Sequence, residues 1–350
     1  MMDTISNIGQ NFIVGMPDAA PSPEFYSFIK DYNIGGVLFL GKNYSSLDTL
    51  ISTVNKLQDS SKTFPLFTSV DHEGGRVQRF KAPFTALPSY RSITSTKTPK
   101  ELFDIFSMVA KELLSCGINF NLAPVVDMTQ EEGGVIGDRS IGTNVEKVEE
   151  AISATIRGFV KAGILCCAKH FPGHGCTKID SHLDLPESDK TMEELLEYEI
   201  PPFKKATKAG VQSIMTAHIL FKNIDTLPAS LSPKFIQEII RKEFKFIKLI
   251  LSDDISMGAI SKHYSAEESS ELAVRAGNDL VIYSSSDINH LANIIDLLSK
   301  RSTGDSELRN CFAASQSRIK EIKKSLSREK IKTDTALKIL ESSELKKIFY

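Results

Sequence analysis

Short runs of apolar residues recur along the chain and alternate with longer stretches of helical periodicity. Eight of these runs predict β-strands: residues 12–16, 35–40, 65–71, 118–127, 164–171, 211–219, 248–254 and 279–285. The runs do not alternate between apolar and polar residues, and such continuous runs are typical of parallel strands that are covered on both faces. The pattern therefore predicts a parallel sheet with helices packed against it.

Amphipathic stretches lie between the predicted strands and carry helix start and stop signals. The clearest are residues 98–117, 144–163 and 265–277. In the first of these, Thr98 precedes Pro99 and Glu101, which predicts a capped start, and Ser265 with Glu268 predicts the same for the third. Glycines stand where helices should end before a strand: Gly117, Gly163, Gly210 and Gly277.

Eight strand–helix units in 350 residues match a (β/α)8 barrel of the TIM type, an α/β fold. A doubly wound sheet usually has fewer strands. Residues 306–350 are helix-forming and lysine-rich, without an apolar period long enough for a core of their own. We therefore expect a single barrel domain over residues 1–350, with 306–350 packed on the barrel and their basic run facing solvent.

Charge excludes several classes of partner. The 42 basic and 44 acidic residues leave a formal charge of −2. Without a basic footprint we expect no nucleic-acid partner. The expected partner is a small or modest-sized ligand, and the expected state is a monomer.

Cysteine usage and the apolar runs indicate the compartment. The five cysteines form no CxxC pair, and Cys166 and Cys167 fall inside a predicted strand, where free thiols act as small hydrophobic groups. The first residues do not have the pattern of a signal peptide, and no apolar run reaches eighteen residues. We therefore expect a cytoplasmic protein that neither is secreted nor spans a membrane.

Charged residues close most of the predicted strands. They are Asp71, Asp127, Lys169 with His170, His218, and Asp253 with Asp254. Barrel enzymes carry their chemistry where strands run into the following loops, so we expect all of these residues to face one mouth. A single Asp at a strand end is often only a helix cap, but the agreement of five ends favours an active site.

The segment after residue 168 holds the densest polar chemistry, with Lys169, His170, His174, Asp180 and His182 within fourteen positions. One serine separates Asp180 from His182, so in an extended loop both side chains lie on the same side and the carboxylate can orient the imidazole as a general acid and base. Of the adjacent Asp253 and Asp254, one should point into the mouth and the other away. A single projecting carboxylate suits attack on a sugar carbon or stabilisation of a cation.

Two other kinds of site compete for the same segment. His170, His174, Asp180 and His182 are all possible ligands of a metal hydrolase. However, Pro172, Gly173 and Gly175 make the helix that a His-x-x-x-His metal pair needs improbable. A phosphate-binding loop is excluded because residues 173–178 do not have the spacing of a glycine-rich loop that ends in Gly-Lys-Ser/Thr.

Six sequence motifs together resemble the β-N-acetylglucosaminidases of glycoside hydrolase family 3. They are DHEGGRVQRF at 71–80, IGDRS at 136–140, KHFPGHG at 169–175, DSH at 180–182, MTAHI at 215–219 and SDDISMGA at 252–259. Many β-glucosidases of the larger family carry their acid/base residue in a second domain. The DSH loop instead marks the single-domain glucosaminidase branch.

The resemblance implies roles for named residues. Asp253 would be the nucleophile that forms a covalent glycosyl-enzyme, His182 the acid/base residue and Asp180 its partner. The residues that would hold the terminal N-acetylglucosamine are Asp71, Arg79, Arg139, Lys169 and His170. The implied enzyme is a retaining exo-β-N-acetylhexosaminidase without metal or cofactor. Its implied substrate is a muropeptide that carries β-linked N-acetylglucosamine, which is released during peptidoglycan recycling.

Several expectations remain open at the level of sequence. A β-glucosidase or a broader β-hexosaminidase is the nearer alternative, an inactive sugar-binding barrel is the non-enzyme alternative, and phosphate could replace water in the second step. His72 departs from the family pattern and puts sugar contacts in question, and Cys176 lies on the catalytic loop without an expected role. We also expect this loop to bring His182 to the sugar only when substrate is bound.

Overall fold

The computed structural model describes residues 4–129, 134–175, 177 and 180–350. Within them, parallel strands close into an eight-stranded barrel in the order β1 to β8, with β8 paired to β1. The barrel strands are β1 (Phe12–Gly15), β2 (Gly36–Phe39), β3 (Phe67–Val70), β4 (Phe120–Asn121), β5 (Leu165–Phe171), β6 (Ser213–Thr216), β7 (Leu249–Asp254) and β8 (Leu280–Tyr283). The predicted (β/α)8 fold is confirmed, and each predicted run contains one strand.

Strand β4 is shorter than the predicted run of residues 118–127. Pro124 has no N–H to donate to a ladder, and β4 ends before it, at Asn121. The chain nevertheless stays beside β5, because Val125 forms an isolated bridge with Lys169, and Val126 N–H donates to Lys169 O at 2.8 Å. The segment therefore still delivers Asp127 to the carboxyl end of the barrel.

Helices surround the barrel and begin and end where the sequence signals predict. The α-helices are α1 (Pro23–Asp31), α2 (Leu47–Ser60), α3 (Tyr90–Thr96), α4 (Pro99–Ser115), α5 (Val145–Ala162), α6 (Met192–Glu197), α7 (Pro201–Ala209), α8 (Gly258–Ser261), α9 (Ala266–Ala276), α10 (Ile288–Gly304), α11 (Ser306–Lys323), α12 (Thr333–Glu341) and α13 (Leu345–Phe349). A π-helix covers Lys234–Glu243 between β6 and β7. Thr98 and Glu101 form a capping box at α4, and Gly163 ends α5 in the left-handed conformation.

Apolar side chains fill the barrel and separate it from the helices. Inward-facing residues such as Ile13, Phe67 and Leu251 form one cluster, and a larger cluster lies between strands and helices. Adjacent strand residues point to opposite faces, so Cys167 belongs to the inner cluster and Cys166 to the outer one. Burial raises the pKa of both thiols to about 12, as expected for cysteines that act as hydrophobic groups.

The amino-terminal ends of the strands form a floor that α11 closes. Ile319 of α11 packs into the inner cluster, and Lys323 at its end is buried beneath the barrel. Further along, α12 packs against α2 and α4, and α13 packs against α4. Among the helices of the described residues, none is long and apolar enough to cross a bilayer.

Candidate active site

A cavity of about 400 Å³ opens at the carboxyl ends of the strands, opposite the floor. All eight residues that the sequence proposed for the site contribute to its lining: Asp71, Arg79, Arg139, Lys169, His170, Asp180, His182 and Asp253. They come from β5, β7 and the loops after β3, β4 and β5, so they meet only because the barrel is closed. Apolar residues such as Leu38, Met215 and Ile282 also line the wall.

Buried ion pairs connect the residues that follow β3, β4 and β5. Lys169 Nζ lies 2.7 Å from Asp71 Oδ1 and 2.7 Å from Glu73 Oε1. Arg139 donates to both oxygens of Glu73, from Nε at 2.8 Å and from Nη2 at 2.9 Å. Such a two-point contact fixes the orientation of the guanidinium group as well as its position. Glu73 therefore holds two of the predicted sugar-binding cations in place.

The charges in this cluster stabilise one another. Burial favours the neutral acid, but Lys169 and Arg139 outweigh it and hold the pKa of Glu73 well below its ordinary value. Burial also opposes the charge of Lys169, yet Asp71 and Glu73 raise the pKa of its ammonium group. Glu73, Lys169 and Arg139 are consequently charged at neutral pH, and the cluster presents fixed hydrogen-bonding groups to the cavity.

A short antiparallel hairpin after β3, formed by His72–Gly74 and Val77–Gln78, positions two arginines at the cavity wall. Arg79 Nη2 lies 3.6 Å from Asp71 Oδ2. Arg76 Nη2 donates to Gly134 O at 2.8 Å and Val135 O at 2.7 Å. Because Arg139 follows in the same loop, Arg76 helps to hold the segment that carries it.

The neighbouring aspartates at the end of β7 both line the cavity, contrary to the prediction that one of them points away, but their hydrogen-bond partners differ. Asp254 accepts hydrogen bonds from Ser284 N–H at 3.0 Å and from the hydroxyls of Ser256 and Ser284. Among the described residues, Asp253 accepts one, from Asp254 N–H at 2.8 Å, and no lysine or arginine forms an ion pair with it. Burial raises the pKa of Asp253, but nearby His170 and His218 offset this and leave the pKa below its usual value. Within the part of the chain that the structure describes, Asp253 is thus an ionised carboxylate that forms no ion pair with a lysine or arginine.

Asp180 and His182 form the pair that their spacing predicts. Asp180 Oδ1 lies 2.8 Å from His182 Nδ1 and accepts His182 N–H at 2.9 Å. Partial burial raises the pKa of Asp180, but these contacts with His182 outweigh it and lower the pKa. With Nδ1 directed at the carboxylate, Nε2 is the ring nitrogen that can exchange a proton with a ligand. The His182 side chain is 69% exposed, although it borders the same cavity as Asp253.

Two of the strand-end residues do not face the cavity, contrary to the expectation that all would. Asp127 is buried and accepts His170 N–H at 3.1 Å and His174 N–H at 2.8 Å, while its Oδ2 lies 2.7 Å from His170 Nδ1. His218 is also buried, with Nδ1 2.7 Å from Ser230 Oγ and Nε2 3.0 Å from Asp254 O. Both lie behind the lining and orient residues that reach the cavity, because a buried polar group must find its partners inside the protein.

Sequence reasoning did not assign roles to Glu73 and Asp127. Glu73 belongs to the DHEGG motif and lies two positions after Asp71, so it projects on the same side of an extended chain. That spacing could have indicated its position but not its two cationic partners. Asp127 was recognised as a strand end, yet only the structure shows that it supports His170.

The remaining residues singled out in the sequence lie as follows. His72 packs against Phe80 and Phe84, with ring centroids 5.9 and 6.0 Å away, and does not line the cavity. Burial, reinforced by the charge of Arg79, lowers the pKa of His72 to about 3, which keeps its ring neutral. Cys176 lies outside the described residues. Within those residues, no group of three or more His, Cys, Asp or Glu side chains is arranged to hold a metal ion.

Curated proteins of related sequence carry the name of a glycosidase. A curated relative named "Beta-hexosaminidase" from Methylococcus capsulatus is 35% identical over 80% of this chain and 84% of its own length. Another of the same name from Idiomarina loihiensis is 34% identical over 71% of this chain and 76% of its own. The chain thus spans most of these relatives, so the similarity is not restricted to a fragment.

Solved structures agree with the sequence relatives. A "glycoside hydrolase family 3 beta-N-acetylglucosaminidase" from Paenibacillus sp. superposes with a TM-score of 0.86 at 29% identity and covers 99% of this chain and 69% of that one. Residues 6–321 also match the family model described as "Glycosyl hydrolase family 3 N terminal domain". The chain therefore belongs to glycoside hydrolase family 3, as an enzyme of its β-N-acetylhexosaminidase branch.

Proposed function

We propose that this enzyme is a retaining exo-β-N-acetylglucosaminidase with Asp253 as nucleophile and His182, assisted by Asp180, as acid/base residue. The observation that carries the proposal is that one cavity is bordered by the ionised Asp253 carboxylate and by the Asp180–His182 pair. Asp253 has no lysine or arginine partner among the described residues. A nucleophile and a separate proton donor are the two groups that a retaining glycosidase needs.

The first step forms a covalent intermediate. A carboxylate oxygen of Asp253 attacks the anomeric carbon, and the bond from that carbon to the leaving oxygen breaks. The leaving oxygen takes a proton from His182 Nε2, and an ester now joins the sugar to Asp253. Asp180 stabilises the cationic imidazole before the transfer and keeps its Nδ1 occupied, which directs the exchange to Nε2.

The second step releases the sugar. Water attacks the anomeric carbon, its proton passes to His182 Nε2, and the bond to Asp253 breaks to restore the carboxylate. Two inversions at the same carbon give net retention of configuration. Phosphate in place of water would use the same ester and release a sugar phosphate.

Terminal-sugar recognition follows from the buried cluster. Ion pairs fix Lys169 between Asp71 and Glu73, and fix Arg139 against Glu73. Charged hydrogen bonds to sugar hydroxyls are among the stronger contacts that a site can make. His170 is oriented by its hydrogen-bond contact with Asp127. Because a preformed polar site rejects ligands that leave its groups unpaired, we infer cleavage of one terminal residue with a defined hydroxyl pattern.

We further propose that the natural substrate is a muropeptide bearing β-linked N-acetylglucosamine, cleaved by a monomer in the cytoplasm during peptidoglycan recycling, without nucleic-acid or membrane partners. This part of the proposal is supported by the sequence resemblance to the single-domain glucosaminidases.

The decisive experiment compares hydrolysis of chromogenic β-N-acetylglucosaminide and β-glucoside, each with and without a chelator. We expect preference for the N-acetyl sugar and no effect of the chelator. Preference for the glucoside would instead assign a family 3 β-glucosidase, and loss of activity with chelator would contradict metal-free chemistry. No turnover of either sugar, with binding retained, would indicate a sugar-binding barrel.

The covalent step has its own test. A slow 5-fluoro analogue of the N-acetylglucosaminide with a good leaving group should trap the ester, and intact-protein mass spectrometry should show one added sugar. Peptide mapping should place that sugar on Asp253. A label on another residue, or an inverted first-formed product by NMR, would overturn the mechanism.

A further inference from the structure

His174 lines the cavity but has no part in the two chemical steps proposed above. Its side chain is buried, with only 2% of the residue exposed. Each ring nitrogen meets a hydroxyl of the same loop: Nδ1 lies 2.9 Å from Thr177 Oγ1, and Nε2 lies 3.1 Å from Ser181 Oγ. A neutral imidazole has one donor and one acceptor, and a hydroxyl can serve either, so both contacts are satisfied at once.

The backbone of His174 is fixed to the wall of the sugar site. Its N–H donates to Asp127 Oδ1 at 2.8 Å, and the other oxygen of Asp127 contacts His170 Nδ1 at 2.7 Å. The next residue, Gly175, packs so closely that a Cβ there would lie 2.0 Å from Met128 O. His174 is therefore a rigid point from which the following loop departs.

Ser181 is the residue that separates Asp180 from His182, and it is held from two sides. Its hydroxyl contacts His174, while its carbonyl accepts Ala259 N–H at 2.9 Å. Ala259 lies in α8, directly after the strand that carries Asp253. Gly258 allows this approach, because a Cβ there would lie 2.6 Å from His182 O. Ser181 is thus buried while its two neighbours point outward.

We infer that His174 is a positioning residue, which holds Ser181 and thereby sets where His182 stands relative to Asp253 and to the bound sugar. The inference rests on the proposed function, since it requires His182 to be the acid/base residue. Through Asp127 the same residue is connected to His170, so the sugar site and the acid/base loop share one support. A misplacement of about 1 Å in a catalytic group can cost about 10²-fold in rate.

Leaving-group dependence separates this role from a merely structural one. An activated dinitrophenyl leaving group needs little proton donation, whereas a phenyl leaving group needs it fully. We expect His174→Phe, which keeps a ring against His170, to lower kcat/KM for the phenyl substrate about 10²-fold and to affect the dinitrophenyl substrate much less. Azide, which needs no base, should raise kcat on the dinitrophenyl substrate by attacking the anomeric carbon, releasing Asp253 and yielding the glycosyl azide.

Two conservative variants locate the important contact. The amide nitrogen of Gln can take the place of Nε2 and that of Asn the place of Nδ1, so His174→Gln retains the contact to Ser181 and His174→Asn retains only that to Thr177. We expect Gln to recover more of the activity on phenyl substrate than Asn. Ser181→Ala should reproduce the pattern of His174→Phe, and the double variant should be no worse than either alone, because both changes remove one interaction.

His182→Ala measured in parallel makes the outcomes distinguishable. In one outcome, His182→Ala shows leaving-group dependence and azide rescue, whereas His174→Phe and Ser181→Ala lose activity equally on both substrates. That outcome overturns the positioning role of His174 and leaves the proposed function standing. If His182→Ala itself shows neither effect, the acid/base assignment fails, and this inference fails with it. Ser181→Ala keeps the test valid if His174→Phe does not fold.

Discussion

The floor and the mouth of the barrel each contain an aspartate at the end of a strand, and the partners of the two aspartates differ. At the floor, Asp279 is fully buried and accepts hydrogen bonds at 2.7 Å from Arg241, Arg318 and Ile250 N–H. At the mouth, Asp253 accepts a single hydrogen bond among the described residues and has no ion pair with a lysine or arginine. A carboxylate whose lone pairs are occupied contributes to the fold, whereas one left without a cation is available to a ligand.

The lysines show the same difference. Lys169 at the mouth lies between two carboxylates, which raise its pKa despite burial. Lys323 at the floor has neutral partners, Gln10 Oε1 at 2.9 Å and Gly35 O at 2.7 Å, and stands 4.5 Å from the centroid of the Phe67 ring. Burial is the main cause that lowers the pKa of Lys323 well below its usual value, and the positive charge of Arg328 adds to the effect. The comparison teaches that burial alone does not identify a functional charge, because its partners determine its state.

Replacing the two aspartates should have the largest and most contrasting effects. We expect Asp253→Ala to lower kcat by roughly 10⁴-fold or more with little loss of stability, because a nucleophile is lost without breaking an ion pair. Asp279→Ala should instead cost about 3–5 kcal/mol of unfolding free energy and leave kcat per folded molecule unchanged, because it strands buried arginines. Assays and urea unfolding of both variants test this, and unchanged turnover in Asp253→Ala would refute its assignment.

Removing the orienting partner of the acid/base residue should have the next largest effect. We expect Asp180→Ala to lower kcat by about 10²- to 10⁴-fold on substrates with poor leaving groups, the range that positioned acid–base groups contribute. Stability should hardly change, since 40% of the Asp180 side chain is exposed. Equal losses on good and poor leaving groups would contradict the role.

Glu73→Gln should combine both kinds of effect, because Glu73 belongs to the fold and to the sugar site. We expect a loss of about 3–5 kcal/mol in unfolding free energy, with a raised KM, because Arg139 loses its ion-pair partner and Lys169 loses one of its two. Because the pKa of Glu73 is lowered in the folded protein, its ionised carboxylate contributes fully to stability above its ordinary pKa of 4.5. This contribution is lost as the pH falls toward the pKa of the folded state. Acid unfolding curves should therefore be shallower for the variant than for the wild type.

Lys323→Met should have the smallest effect and one restricted to stability. We expect a loss of about 1–3 kcal/mol, because Gln10 and Gly35 lose a buried hydrogen-bond donor, and no change in kcat. Between the lowered pKa of Lys323 in the folded protein and its ordinary pKa of 10.5, the side chain is protonated in the unfolded chain but not in the folded one. The free energy of unfolding should therefore rise with pH over this range. The variant should not show that rise, and Lys324→Met, at an exposed neighbour, should behave as the wild type.

Much of the fold could be predicted because it is encoded locally. The runs around Val37, Ile214 and Ile282 reveal strands that are covered on both faces, and Thr98 and Gly163 mark helix ends through their own backbone requirements. The predicted run of residues 118–127 is longer than β4, because hydrophobic periodicity alone does not show where the hydrogen-bond ladder ends before Pro124. The candidate site could be located because strand ends of a parallel barrel meet at one mouth.

The partners within the site could not be predicted in this way. Lys169 and Asp71 are 98 positions apart, and their contact at 2.7 Å depends on the register of β3, β4 and β5. His218 resembles the other strand ends in sequence, yet its ring turns toward Ser230 behind the cavity. The sequence makes His174 a candidate metal ligand, whereas in the structure each of its ring nitrogens contacts a hydroxyl group, that of Thr177 or that of Ser181.

By itself, then, the sequence determined the barrel, its capped helices, the family, and which charged residues stand at the carboxyl ends of the strands. Only the tertiary structure decided which of those charges are neutralised and which are left for a ligand. The physical reason is that hydrophobic periodicity and caps act between near neighbours in the chain, whereas the ionisation and orientation of Asp253, Glu73 and Lys323 depend on groups that closure of the barrel brings within a few ångströms.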